Sequence, residues 1–288
     1  MIKLIGNIGV VACTLGGYVA MGGKLAVLNQ PFELVIIFGS AVMAYIVANS
    51  MHTVKQSLTD IKLIYKKEKY GKDEYMELLS MLYTVFKMAR TKGWLALERH
   101  IEEPESSEIF QQFPSFHANH HAVTFLCDYL RIISLGSENP HELEALMDAE
   151  LETMETEKMH TSHAVQTMAD GMPALGIVAA VLGVIKTMGS ISEPPEVLGK
   201  LIGGALVGTF LGVWLSYGFI APIANAIAER NSNELKYYHC IKISILAFLQ
   251  GAAPQVAVEF GRKILLHDTQ PTFLEVEEAT QNITLPAA

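Results

Sequence analysis

Basic residues are in short supply in this 288-residue chain: 21 lysines and arginines face 30 aspartates and glutamates, a formal net charge of −9. Nucleic-acid binding, which wants a basic face, is set aside on that ground. Cysteine is scarcer still. Cys13, Cys127 and Cys240 lie far apart with no CxxC spacing, which argues against a disulfide framework or a cysteine-held zinc and leaves reduced, inert thiols as the expectation. Also missing are a phosphate-cradling glycine loop, GxSxG, HExxH and any paired aspartates placed for catalysis, so the chain is read as a non-enzyme needing no cofactor or metal. No stretch alternates apolar and polar residues over strand length, and no solenoid repeat recurs, which leaves an all-α reading.

Apolar side chains, by contrast, abound. Half of the residues are hydrophobic and the mean hydropathy is positive, the profile of a membrane component. A helix crossing the hydrocarbon core needs roughly 20 mostly apolar residues at ~1.5 Å rise each. Four stretches qualify: Leu4 to Met21, Leu34 to Met51, Gly171 to Ile185 extended by its flanks, and Leu201 to Ala228. The first twenty residues carry Lys3 ahead of an apolar run, as a secretory leader does, but no Ala-x-Ala site follows and they are read as a retained span. A further apolar stretch, Ile243 to Val258, is broken by Gln250, Gly251, Pro254 and Gln255 and is read as non-spanning.

Cationic loops stay in the cytoplasm, and Lys55, Lys62, Lys66, Lys67, Lys69 and Lys72 follow the second span, against Lys24 alone before it. Both termini are therefore expected in the cytoplasm. The layout predicted is a four-span, all-α membrane protein: one transmembrane hairpin at 1–51, a helical cytoplasmic insert at 52–169, a second hairpin at 170–228 and a cytoplasmic tail at 229–288. Within the insert, Tyr75, Leu78, Leu79, Leu82, Val85, Phe86 and Ala89 recur at helical spacing, as do Phe125, Leu126, Tyr129, Leu130 and Ile133. A third helix is predicted to start with Asn139 as cap and Pro140 at the first position, and to run on into the third span.

Few residues offer chemistry. His117, His120 and His121 invite a metal reading, but no acidic or cysteine partner stands near them in sequence, and they are taken as surface histidines. The spans hold no mid-bilayer carboxylate; Glu33 and Asp170 are placed at span ends. If the chain conducts ions, the titrating group then belongs to a partner helix. Gly204, Gly208 and Gly212 form a small-residue stripe that packs either within this chain or against such a helix. Pro173 either begins the third span or forms a hinge in it, and Pro222 either ends or hinges the fourth. Arg90 and Glu98 flank the segment ARTKGWLALERHIEEP, as an internal ion pair or as partner-facing charges.

Taken together, FELVIIFGSA, the segment around Arg90 and Glu98, DYLRIISLG, ELEALMDAELE, DGMPALGIVAAVLGVI, LIGGALVGTFLGVWLSYGFIAP and VEFGRK resemble the MotA family, the larger subunit of bacterial flagellar stators, over nearly the whole chain. That resemblance implies an inner-membrane proton channel in which five such chains ring a dimer of MotB, whose span supplies the ion-carrying aspartate. It implies that Pro173 and Pro222 couple ion passage to movement, that Thr209 faces the ion path, and that Arg90 and Glu98 touch the rotor protein FliG. Sodium-driven relatives carry a third-span threonine where this chain has Ala180, so a proton is the expected ion. The rivals are an ExbB- or TolQ-like proton channel, which has three spans and a different distribution of cytoplasmic mass, and a non-conducting membrane scaffold.

Overall fold

The computed structural model describes residues 2–136, 139–281 and 283; Met1 at the start of the predicted first hairpin, Ser137 and Glu138 in the insert, and 282 and 284–288 in the predicted tail lie outside these. Every regular element among the described residues is helical. In chain order they are α1 (Ile2–Ala20), α2 (Leu25–Ala48), α3 (Met51–Leu63), α4 (Lys72–Lys92), α5 (Glu98–Glu102), α6 (His120–Ser134), α7 (Pro140–Met188), α8 (Pro195–Leu249), α9 (Pro254–Lys263) and α10 (Phe273–Gln281), with single turns between some of them. Four of these, α1, α2, α7 and α8, are long and apolar enough to cross a membrane. The chain divides into two compact units, 1–67 with 157–230 and 68–156 with 231–288, so α7 and α8 each contribute to both.

The first unit holds the apolar helices. No residue of α1 is buried, which leaves its apolar surface to the surroundings. The second span begins earlier than the sequence reading placed it: α2 starts at Leu25, breaks at Asn29–Gln30 and restarts at Pro31, where a missing amide costs no helical hydrogen bond. Between α7 and α8 glycine sets the separation. A Cβ on Gly212 would stand 2.7 Å from the Met172 carbonyl oxygen and 2.8 Å from Gly176 Cα, and one on Gly183 would stand 2.7 Å from Ala205 Cβ. The small-residue stripe therefore packs within this chain: Gly208 and Gly212 face α7, while Gly204 meets the side chain of Gln30. Ile37, Ala41, Met172, Ala179, Val207 and Leu211 fill the space beside that contact.

Where the spans end, several polar groups find partners within the chain. Ser50 caps α3 by accepting from the Thr53 amide at 3.2 Å. Buried Asp60 accepts from Thr161 Oγ1 and Gln56 Nε2, both at 2.8 Å. At the other end of α3, Arg230 donates to the carbonyls of Leu63 at 2.9 Å and Lys67 at 3.3 Å, placing a cation on the negative pole of the helix.

The second unit has its own core, in which α4 is the central helix. Its residues Leu78, Leu79, Leu82, Val85 and Phe86 are all fully buried, as the spacing predicted. Tyr70 stacks on Tyr237 with centroids 4.0 Å apart, and Phe86 on Phe248 at 4.7 Å. The stretch Ile243 to Val258 belongs here: Ile245, Leu246, Ala247, Phe248, Ala257 and Val258 are buried in this core, and the chain turns at Gly251. Lys242 is 6 % exposed and reaches the exposed Asp148 at 2.5 Å, so its charge is paired at the edge of the core. At the start of α7, Asn139 Oδ1 accepts from the His141 amide at 3.1 Å and Pro140 takes the first position, as expected.

Overpacking a backbone-to-backbone contact costs typically 1–3 kcal/mol, about what Gly212→Ala should remove from stability. Gly203→Ala, in the same helix but with an added methyl that meets nothing within 4 Å, should lose nothing and gain up to about 1 kcal/mol from alanine's better helix propensity. Thermal unfolding of the two purified variants in detergent checks the contrast.

Candidate functional site

Pro173 lies in the interior of α7 rather than in a first helical turn, because the helix begins far upstream at Pro140. Proline has no amide hydrogen, so the carbonyl four residues back, that of Ala169, loses its helical donor. The structure supplies a replacement. Ser216 Oγ of α8, fully buried, donates to the Ala169 oxygen at 2.7 Å. Ser216 is also the first residue of a wide π turn, Ser216–Ile220, that leads into Pro222. A π turn relieves the clash that a proline ring makes with the carbonyl four residues before it, here Gly218. The irregularities that the two prolines produce thus meet in one hydrogen bond between α7 and α8.

Pro222 itself is exposed and lines a cavity of about 660 Å³ with Lys3, Asn7, Tyr65, Tyr217 and Glu229. Among its lining residues Lys3 and Glu229 stand 3.6 Å apart, and Asn7 donates to the Tyr65 hydroxyl at 2.8 Å.

Thr209 and Ala180 are half-buried. Gly208, the neighbour of Thr209, packs against Ala179 and against the backbone nitrogen of Ala180, with an added Cβ 3.0 and 3.1 Å from them. The same point is 3.0 Å from Glu33 Oε2, an enclosed oxygen that has no hydrogen-bond partner among the described residues. Glu33 lies inside the second apolar helix, not at its end as the sequence reading had it, because α2 extends back to Leu25. A carboxylate of this chain therefore stands beside Gly208, where α8 packs against Ala179 and the backbone of Ala180. Only the earlier helix start could have signalled it.

The charged pair lies in the second unit. Arg90 falls in the last turn of α4, where cations are favoured, and Glu98 in the first turn of α5, where anions are. Gly93, at φ +81°, ends α4, and a tight turn from Trp94 to Leu97 joins the two helices. Both charges are exposed and, among the described residues, no ion pair joins them. Arg90 instead donates through Nη2 to the Gly251 carbonyl at 3.1 Å. Nearby, burial lowers the pKa of His100; Glu108 opposes that shift, and Arg99 and Lys92 reinforce it.

One expectation changes. The histidine cluster does have an acidic neighbour: the fold brings Glu105 within 3.1 Å of His120 Nδ1 and 3.7 Å of His117 Nε2, whereas His121 is exposed. No group of three metal-ligating side chains is found among the described residues. Of the cysteines, Cys127 and Cys240 are buried and Cys13 is exposed, all three as free thiols; burial pushes the Cys127 thiol up to about 12, far from a reactive thiolate.

The chain is similar to known proteins over nearly its whole length. Residues 4–93 match the profile of the Motility protein A N-terminal domain, and residues 118–239 that of the MotA/TolQ/ExbB proton channel family. Motility protein A of Salmonella typhimurium is 43 % identical over 286 residues, covering 99 % of this chain and 97 % of that one. Among solved structures, the MotAB of C. jejuni aligns with a TM-score of 0.74 at 20 % identity, over 92 % of this chain and 95 % of that one. The flagellar MotAB stator complex of Bacillus subtilis aligns at 0.70 and 25 % identity, over 89 % and 92 %.

Removing the Ser216 hydroxyl strands the Ala169 carbonyl in a buried site, which should cost about 1–3 kcal/mol. Comparing the melting of Ser216→Ala with wild type measures it, and Ser216→Thr, which keeps the hydroxyl, should lose less. His100 gives a pH dependence of definite sign. Its charged form is disfavoured in the folded state, so the unfolded chain binds the proton better. Stability is full above the ordinary value of 6.5 and falls as pH drops below it. Melting curves of His100→Gln between pH 8 and 5.5 should be flatter than wild type.

Proposed function

The chain belongs to the Motility protein A family of flagellar stator subunits, and from that premise we propose that it forms, with a MotB-type partner, a proton channel that drives the rotor through Arg90 and Glu98. It is a multi-pass inner-membrane protein and a subunit of the flagellar stator. The observation that carries the coupling part of the proposal is the joint between α7 and α8, where Ser216 takes up the carbonyl that Pro173 releases, beside the π turn ahead of Pro222.

In this reading 1–51 and 170–228 are membrane hairpins, 52–169 and 229–288 are cytoplasmic, and both termini face the cytoplasm. The lysine run after the second span supports that orientation. Five copies surround a dimer of the single-span partner, whose aspartate takes up and releases the proton. Neutralising a carboxylate in a poorly solvated site changes which packing of the surrounding spans is preferred. Thr209 and Ala180 line the path. Alanine at 180 leaves no hydroxyl to help coordinate a desolvated sodium ion, whereas a proton needs only a titratable group and water.

One elementary charge moving through ~100 mV releases ~2.3 kcal/mol, enough to shift a packing equilibrium such as that at Pro173 and Pro222 but small for one large motion. Many small steps follow. Arg90 and Glu98 pass each step to FliG through exposed charges, contacts that salt screens.

Cells lacking their own stators, supplied with this chain and a MotB-type partner, should swim in sodium-free medium, and with either subunit alone they should not. Reversing the charges at Arg90 and Glu98 together should cut single-motor torque severalfold with the protein still in the membrane. Unchanged torque in the double reversal would remove these residues from the rotor contact.

A further inference from the structure

The end of α8 is shaped around Arg90. Gly251 adopts φ +95°, a conformation that favours glycine. It closes the last turn: its amide donates to the Phe248 carbonyl at 3.0 Å, and the Ala252 amide donates to the Ala247 carbonyl at 3.1 Å. With those two carbonyls occupied, the Gly251 carbonyl is left to meet another donor, and Arg90 Nη2 reaches it at 3.1 Å. The guanidinium carbon also lies 5.8 Å from the centre of the Phe248 ring. That ring is itself fixed, stacked on Phe86 at 4.7 Å and meeting Trp94 edge-on at 5.8 Å.

Three effects therefore act on one exposed cation. The planar guanidinium gains from the ring face, the negative pole of α8 favours a positive charge, and the hydrogen bond sets its direction. A long side chain held in this way has already lost much of the rotamer freedom that a contact would otherwise cost it. Guanidinium carries five N–H donors, and the Gly251 carbonyl engages only one group, so an edge remains that a carboxylate can grip.

We infer that the C-terminal turn of α8, through Phe248 and Gly251, is a cradle that presents Arg90 to an acidic side chain of the rotor protein. Phe248 and Gly251 are positioning residues: they act through Arg90 and touch no partner themselves. The inference rests on the reading of Arg90 as a rotor contact and adds to it a segment of the tail, distant in sequence, that sets the geometry of that contact.

Phe248→Leu keeps an apolar side chain and removes the ring. Gly251→Ala adds a methyl that meets nothing within 4 Å but strains the backbone at positive φ, which moves the carbonyl. In the purified complex of the full chain with its single-span partner, the rate at which a guanidine-directed dicarbonyl reagent modifies Arg90 is read by mass spectrometry. The cradle predicts at least a threefold rise in each variant, with exposed Arg99 unchanged as the internal control. Torque of single motors should fall at least twofold in each variant, and show no further fall when the same change is made on an Arg90→Ala background.

An unaltered Arg90 modification rate overturns the cradle. So does a torque loss of equal factor with and without Arg90, which marks a general structural defect. If Arg90→Ala alone leaves torque intact while the modification rates rise, the geometry stands, and the rotor contact at Arg90 and its presentation to a partner fall together. Should Gly251→Ala fail to accumulate, Phe248→Leu carries the same tests.

Discussion

In a bilayer every backbone polar group must find its partner inside the protein, and a helix that gives one up has to be repaired by its neighbour. Pro173 imposes that condition here. By leaving the Ala169 carbonyl without a helical donor it requires a hydroxyl from α8, and Ser216 supplies it at 2.7 Å. A serine can reach only if the two backbones approach closely, which is what Gly176 opposite Gly212 and Ala179 opposite Gly208 permit. A larger residue at any of these three glycines would separate the helices and unmake the repair. The glycine stripe, the buried serine and the proline are thus one constraint seen from three positions.

A joint of this kind rests on a single side-chain hydrogen bond. One hydrogen bond holds a place where ordinary helices would have had their regular bonding, so the joint is locally weaker than a continuous helix. The ~2.3 kcal/mol carried by one charge across ~100 mV is on the scale of a single buried hydrogen bond, so the coupling proposed above needs no more than that bond to respond. The same two helices, Pro140–Met188 and Pro195–Leu249, supply residues to the unit that holds Arg90 and Glu98. Arg90 in turn depends on the last turn of α8. The sites proposed for ion coupling and for rotor contact are therefore served by shared helices rather than by separate elements.

Much of this was legible in the order of residues. Four apolar runs appeared as four helices long enough to span, the periodicity of Tyr75 to Ala89 gave the central helix of the second core, and Asn139 with Pro140 marked the start of α7. Such features are local: they depend on residues within a turn or two of one another. What stayed hidden depends on distance. The break at Asn29–Gln30 extended α2 and brought Glu33 inside it, Glu105 came to the histidines from another turn, and Ile243 to Val258 divided its apolar residues across the bend at Gly251. Ser216 could have been anticipated in part, since a proline within a span always frees a carbonyl, but which hydroxyl answers it is a matter of packing. Arg90 was singled out by its resemblance; that a glycine in the tail holds it could not be read from spacing.

Proton flow is the proposed source of motion. Rotation of single motors should be recorded in cells whose only stator contains this chain and its partner, while a potassium diffusion potential sets the membrane voltage and sodium is held equal on both sides. Speed that rises in proportion to the proton-motive force and stops when that force is brought to zero is the predicted result. Rotation that continues at zero proton-motive force, or that follows an imposed sodium gradient instead, would contradict it.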